Sequence, residues 1–237
     1  MVRSAWSRIS VEATVRHQQM TTVDKAARNS SVLINNAEAM NQLLSLISRT
    51  DDSAITFEVT RLFVNIARSL ASCALPDRQE AFIRISNDTI ISALVDMLRK
   101  GRQYPVVVNE SIIALALLST FGPRGTGRSD GIVTLISVSS ILRDLQFLPS
   151  ASASEETPSN RSGLEILCSI IAPNSNDESL SAEVQANALT LLDQLGKEEC
   201  KEADNMRMNI RRNTETLQER GHLPSPGVSA LLAAWYR

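Results

Sequence analysis

The segment Ile55–Ala71, ITFEVTRLFVNIARSLA, constrains the fold more than any other part of this chain. Its apolar residues recur at the three- and four-residue spacing of an α-helix. Its polar residues step by three, four and three, so they form one ridge along that helix. The ridge consists of Glu58, Arg61, Asn65 and Arg68. A helix that is apolar on nearly every other side is typical of the inner helix of a helical solenoid.

Pairs of helical segments separated by short polar turns recur along the chain. In each pair an amphipathic segment precedes a more uniformly apolar one. The predicted pairs are Asn36–Ser48 with Ile55–Ala71, Asp88–Lys100 with Val106–Phe121, and Gly163–Ala172 with Ser181–Gly196. Asp52 or Ser53 is suited to cap the helix that follows it, and Gly101 is suited to end a helix.

The second helices of the three pairs align on a glutamate near their start. These glutamates, Glu58, Glu110 and Glu183, lie 52 and 73 residues apart. A period of about 40–50 residues made of helix pairs indicates armadillo or HEAT stacking, in which neighbouring repeats bury one another's apolar faces. We therefore predict an all-α, armadillo/HEAT-like right-handed helical solenoid of about three to four repeats.

The remaining segments are arranged around these pairs. We predict N-terminal helices or the remnant of an earlier repeat at 1–35, two armadillo-like units at 36–121, a loop and a helix at 122–148, a disordered linker at 149–162, a last armadillo-like unit at 163–196, and C-terminal capping helices at 197–237. The linker is predicted from its Ser- and Pro-rich composition, which has no apolar periodicity.

Composition and charge argue against several kinds of partner. The net charge of −2 provides no general basic field for nucleic acid. The longest apolar run, near Ile112–Leu118, is far below the ~20 residues that cross a bilayer. Cys73, Cys168 and Cys200 lack metal-ligand spacing, and we expect them to be reduced. We therefore expect no nucleic acid, no membrane insertion, no small-molecule substrate and no metal or other cofactor.

The N-terminus bears on location. Residues 1–20 have no apolar segment of the kind found in secretory signals. Arg3, Arg8 and Arg16 leave a mitochondrial presequence open, although Glu12 argues against it. We expect the protein to be cytoplasmic.

Few residues in this sequence suggest catalysis. The two histidines, His17 and His222, lie in polar terminal stretches that offer no rigid scaffold for an imidazole. Gly122–Ser129, GPRGTGRS, approaches the phosphate-binding pattern GxxxxGK[ST], with Arg128 in place of the lysine. That pattern requires a preceding strand, whereas the preceding segment is predicted to be helical. We predict a loop here and no enzyme activity, with a nucleotide hydrolase as the rival hypothesis.

Two segments about fifty residues apart carry a family resemblance. Phe57–Leu70, FEVTRLFVNIARSL, and Val106–Ser119, VVVNESIIALALLS, resemble the C-terminal armadillo repeats of the SmgGDS family, the small-GTPase dissociation stimulators. The resemblance covers roughly Asn36–Leu148. It implies a cytosolic, all-helical protein that binds Rho- and Rap-type GTPases and stimulates GDP release or chaperones them, without a catalytic nucleophile.

The resemblance also implies partner-binding positions. Matched by motif, these are Glu58, Arg61, Asn109 and Glu110, while Asn65 fits a general armadillo ladder of asparagines. This chain departs from the family in two ways. It has Thr60 where the family's sequences usually have Asn, and it has fewer repeats than the family. We therefore keep a second hypothesis, an armadillo adaptor or myosin-chaperone-like module with an unrelated protein partner.

Overall fold

The computed structural model describes residues 25–49, 52–72, 76–101, 104–122, 137–147, 161–172, 181–219 and 224–236. Within these ranges every regular element is a helix and none is a strand, which confirms the all-α prediction. The α-helices are α1 (25–35), α2 (Ala37–Arg49), α3 (Ser53–Ala71), α4 (Arg78–Ile85), α5 (Asp88–Lys100), α6 (Pro105–Phe121), α7 (Ser137–Gln146), α8 (Gly163–Ile171), α9 (Ala182–Gly196), α10 (Lys201–Glu219) and α11 (Pro226–Trp235).

The six helices of the predicted pairs begin and end within two residues of their predicted bounds. Local capping explains several of these ends. The Asp52 carboxylate accepts the Ala54 N–H at 2.8 Å and so caps α3, as predicted. Ser162 and Glu165 form a capping box at the start of α8.

Helix α4 was not predicted from the sequence. It has only eight residues and follows Pro76, so its apolar pattern is too short for a period to emerge. Its buried residues are Ala81, Phe82 and Ile85. The Phe82 ring packs against the ring of Phe121 with centroids 5.0 Å apart, which anchors α4 to the end of α6.

The helices form two neighbouring rows. One row is α3, α6, α9 and α11, and the other is α2, α5, α8 and α10, with each helix contacting the next in its row. The short helices α4 and α7 pack beside them: α4 contacts α3 and α6, and α7 contacts α5, α6, α8 and α10. An arrangement in which each unit touches only its neighbours fits an α-solenoid in general.

Helices α6 and α9 of the first row run parallel. Asn109 of α6 is bonded to Asn187 of α9 at 2.8 Å, and Ser119 is bonded to Gln194 at 2.7 Å. Both residue numbers rise together, so α6 and α9 point the same way. Parallel neighbours are expected of stacked repeats, whereas an up-and-down bundle alternates direction.

At the end of the first row, an aromatic side chain packs against a glycine. Trp235 of α11 covers Gly196, the last residue of α9. A Cβ built at Gly196 would lie 2.5 Å from both Cζ2 and Nε1 of the indole, so no larger residue fits without movement. This contact joins α11 to the row.

Several predictions concern residues outside the described ranges. These are the loop at Gly122–Ser129 beyond Gly122, the linker at 149–162 before Arg161, Cys73, His17 and His222.

Candidate functional site

One side of the first row carries most of the polar residues that the sequence singled out. We call it the α3–α6–α9 face. It comprises Glu58, Arg61, Asn65 and Arg68 of α3; Val106, Asn109, Glu110, Ile113 and Thr120 of α6; and Glu183, Asn187, Thr190 and Gln194 of α9. Counted from the first residue of each helix's set, the others lie three, four, seven, ten, eleven or fourteen positions on, so they share one side. All of them are at least partly exposed.

Glu110 links α6 to α3. Its carboxylate accepts the Arg61 Nε–H at 3.2 Å, and its other oxygen lies 4.0 Å from a guanidinium nitrogen of Arg68. The Glu110 side chain is 14% exposed, whereas both arginines are 41% exposed. Arg61 also approaches Glu58 at 3.5 Å. Because the arginines are partly solvated, we assign each pair at most about 1 kcal/mol.

Asn109 links α6 to α9. Its amide oxygen accepts from Asn187 Nδ2 at 2.8 Å, and its own Nδ2 donates to Glu183 at 3.3 Å. The Asn109 amide therefore uses its donor and acceptor groups within the protein. Farther along the same interface, the buried Ser119 hydroxyl donates to Gln194. These bonds set the register of the two helices.

The centre of the face is apolar. Val106 is 69% exposed, although it is a large hydrophobic residue. Ile113, seven residues on, is half-buried and does not pack on the core. Leu117, four residues after Ile113 on the same side of α6, does pack on the core. The sequence did not point to Val106 or Ile113 as surface residues because α6 is apolar on nearly all sides.

The structure brings the five predicted partner-binding residues to this one face. Glu58, Arg61 and Glu110 form one charged cluster, Asn109 lies beside them, and Asn65 is exposed on α3. Glu110 is mostly covered by its arginine partners, so its direct role is to position Arg61. The partners of Asn109 were not predicted, although Glu183 and Asn187 form a ridge of their own in the sequence. Thr60 is buried and bonds back to Thr56, so position 60 cannot contact a partner.

A cavity of about 230 Å³ lies elsewhere, between α8, α10 and α11. Its lining includes Cys168, Asn213, Thr214 and Leu217. Burial raises the pKa of the Cys168 thiol to about 11, so the thiol is protonated at neutral pH and is a poor nucleophile. Among the residues that the structure describes, no three His, Cys, Asp or Glu side chains cluster as metal ligands would.

Comparison with known proteins gives no match: neither a family model, nor a curated protein, nor a solved structure is similar to this chain. Across the helices described above, none is both long and apolar enough to span a bilayer. The fold and the site define an all-helical protein with stacked helices and a partly exposed polar face.

Proposed function

We propose that this protein is an armadillo-type solenoid that binds a small GTPase of the Rho or Rap type on its α3–α6–α9 face and stimulates GDP release or chaperones the GTPase. The observation that carries the binding proposal is the face itself. Side chains of three neighbouring helices are joined there into one partly exposed surface by bonds from Arg61 to Glu110 and from Asn187 to Asn109.

The prior ordering of these side chains favours binding. A partner that docks on side chains already held by neighbours pays less conformational entropy than one that must order them. Glu58 and Asn65 remain exposed and available for contact. The choice of a GTPase rests on the resemblance of Phe57–Leu70 and Val106–Ser119 to the SmgGDS family.

Exchange stimulation would follow from differential binding. If the face binds the nucleotide-free GTPase more tightly than the GDP-bound form, linkage requires that GDP be bound less tightly in the complex. No nucleophile or general base on the solenoid is needed for this effect. Equal affinity for the two forms would leave a chaperone without exchange activity.

The test measures binding of purified Rho- and Rap-type GTPases, nucleotide-free and GDP-loaded, to the full chain. The variant Glu58→Lys/Glu183→Lys reverses two exposed charges on the face. The matched control, Glu38→Lys/Glu219→Lys, reverses two exposed charges on α2 and α10. We expect the face variant to weaken binding about tenfold and the control to change it less than twofold. Absence of binding by the unaltered chain would refute the GTPase proposal.

The second candidate is an armadillo adaptor or myosin-chaperone-like module with another protein partner. Burial of Thr60 favours this candidate, because the position at which SmgGDS-family sequences usually have Asn is not at the surface of this protein. Capture of proteins from the source cell by the unaltered chain and by the face variant, followed by mass spectrometry, separates the two. A non-GTPase partner lost specifically with the face variant would support the adaptor.

A further inference from the structure

An apolar strip runs along the middle helix of the α3–α6–α9 face. Val106 and Ile113 lie seven residues apart on one side of α6, and Thr120 continues that side by seven more. Val106 is among the most exposed large hydrophobic residues of the described chain, and Ile113 does not pack on the core. At 1.5 Å per residue, the strip from Val106 to Thr120 is about 21 Å long.

Polar side chains border the strip on both sides. Glu58 and Arg61 stand on α3, and Glu183 and Asn187 stand on α9. Neighbouring helices lie about 8–10 Å apart, so α3 and α9, on either side of α6, are separated by about 16–20 Å, which leaves room for one helix of about 10–12 Å diameter. A strip that follows the axis of α6 can receive a second helix along its length.

The hydrogen-bonding groups of the face also favour a helix. An extended peptide exposes its backbone N–H and C=O groups and needs partners for them. The amides of Asn109 and Asn187 would be suitable partners, but the 2.8 Å bond from Asn187 to Asn109 and the bond from Asn109 to Glu183 already engage part of their capacity. A helical occupant satisfies its own backbone and therefore requires only apolar contact along the strip and charge contact at the borders.

The charges of the α3–α6–α9 face indicate which residues would flank the apolar stripe of a bound helix. The Glu58 side chain is 69% exposed, and Glu183 is exposed on the opposite border. Arg61 and Arg68, the cations of the face, are directed at Glu110, and Arg61 also lies 3.5 Å from Glu58. Glu183 accepts a bond from Asn109. The exposed parts of the Glu58 and Glu183 carboxylates border the strip, where they complement lysine or arginine.

We propose that the α3–α6–α9 face receives an amphipathic helix of the partner, about four turns long, with an aliphatic stripe on Val106 and Ile113 and basic residues facing Glu58 and Glu183. This inference rests on the proposed partner-binding function and specifies the chemistry of the bound segment. It does not depend on whether the segment belongs to a GTPase.

The experiment titrates the full chain with synthetic helix-forming peptides and measures Kd by fluorescence anisotropy. One peptide has a leucine stripe flanked by lysines, the second has glutamates in place of the lysines, and the third has the first composition scrambled. The variant Val106→Asp/Ile113→Asp places charge in the strip. The control Phe147→Asp/Met208→Asp places the same charge at two residues, each 57% exposed, one just after α7 and the other on α10.

We expect the lysine peptide to bind most tightly, the strip variant to weaken it about tenfold or more, and the control to change it less than twofold. Circular dichroism verifies that both variants stay folded. Three outcomes would overturn the inference. The scrambled peptide could bind as tightly as the lysine peptide, the strip variant and the control could lose the same affinity, or none of the peptides could bind. Self-association of the unaltered chain that disappears only in the strip variant would also overturn it, in favour of a second copy.

These outcomes are separable from those of the GTPase test. Peptide binding that maps to Val106 and Ile113 without GTPase capture would retain the helix site and refute the GTPase. GTPase capture that is unaffected by Val106→Asp/Ile113→Asp would retain the proposed function and refute the helix site.

Discussion

Substitution of Gly196 by alanine tests the packing at the end of the first row. The added Cβ would lie 2.5 Å from Cζ2 and Nε1 of Trp235, well inside van der Waals contact. The Gly196 backbone belongs to α9, whose position is set by its fully buried Leu191, Leu192 and Leu195, so it is the indole of α11 that must move. We expect Gly196→Ala to displace Trp235 and loosen the docking of α11 on α9.

The expected loss of stability follows from two opposing effects. Alanine favours a helix over glycine by about 0.5–1 kcal/mol, and by less at the last helical position. Overpacking of a filled contact costs about 1–3 kcal/mol. The balance is a net loss of about 1–2 kcal/mol, which for a chain of this size lowers Tm by about 2–8 °C.

Tryptophan fluorescence reports the displacement directly. The chain has two tryptophans, so Trp6→Phe leaves Trp235 as the only one. In that background we expect Gly196→Ala to shift the emission to the red and to increase quenching by acrylamide. Trp235→Leu makes room for the Cβ, so the double variant should recover part of the loss measured for Gly196→Ala in urea unfolding. An unchanged emission with equal or higher stability would refute the reasoning.

The other predictions concern the core, a helix end and a thiol. Phe82→Ala should lower the free energy of unfolding in urea by about 3–5 kcal/mol, because it removes a fully buried ring from its contact with Phe121; a loss below 1 kcal/mol would contradict the packing. Arg99 donates to the carbonyl oxygens of Asp144 and Phe147 at the end of α7, at 2.8 and 2.6 Å, so Arg99→Met should cost about 1–3 kcal/mol and Arg99→Lys should not restore the loss. Burial raises the pKa of the Cys168 thiol to about 11 from an ordinary 9.0, so the folded state binds this proton more tightly than the unfolded state. The free energy of unfolding should therefore fall as pH rises from about 9 through 11. Chemical denaturation of Cys168→Ala should lack this contribution to the pH dependence.

Long periodic helices could be predicted from the sequence, whereas short elements and close contacts could not. The apolar spacing in Ile55–Ala71 specifies α3 almost completely, because burial on three sides leaves a clear pattern. Helix α4 has two turns and depends on Phe82 finding Phe121, which lies 39 residues away in the sequence. Gly101 does end α5 as predicted, but with φ of −77°, and a Cβ at this position would lie 2.7 Å from the side-chain Cγ1 of Val107, which would have to shift. Local propensity contains no information on that approach.

The site was predictable in outline only. Ridges at helical spacing identify Glu58, Arg61 and Asn65 as surface candidates, since position along a helix decides which side a residue occupies. The partner of each polar group depends on the distance and register between helices. Arg61 meets Glu110 across 49 residues of sequence, and Asn109 meets Asn187 across 78. A single sequence gives neither the distance nor the register between helices. It therefore cannot distinguish a side chain that is bonded within the protein from one that is free to contact another molecule.

The stacking of α3, α6 and α9 has a mechanical consequence. These helices are connected side by side through side-chain contacts, and no backbone hydrogen bond crosses from one to the next as it would in a sheet. Because stacked helices contact only their neighbours, small rotations at the two interfaces add along the row and change the spacing between Glu58 and Glu183. The bond of Arg61 to Glu110 and that of Asn109 to Asn187 cross these interfaces and oppose such rotations.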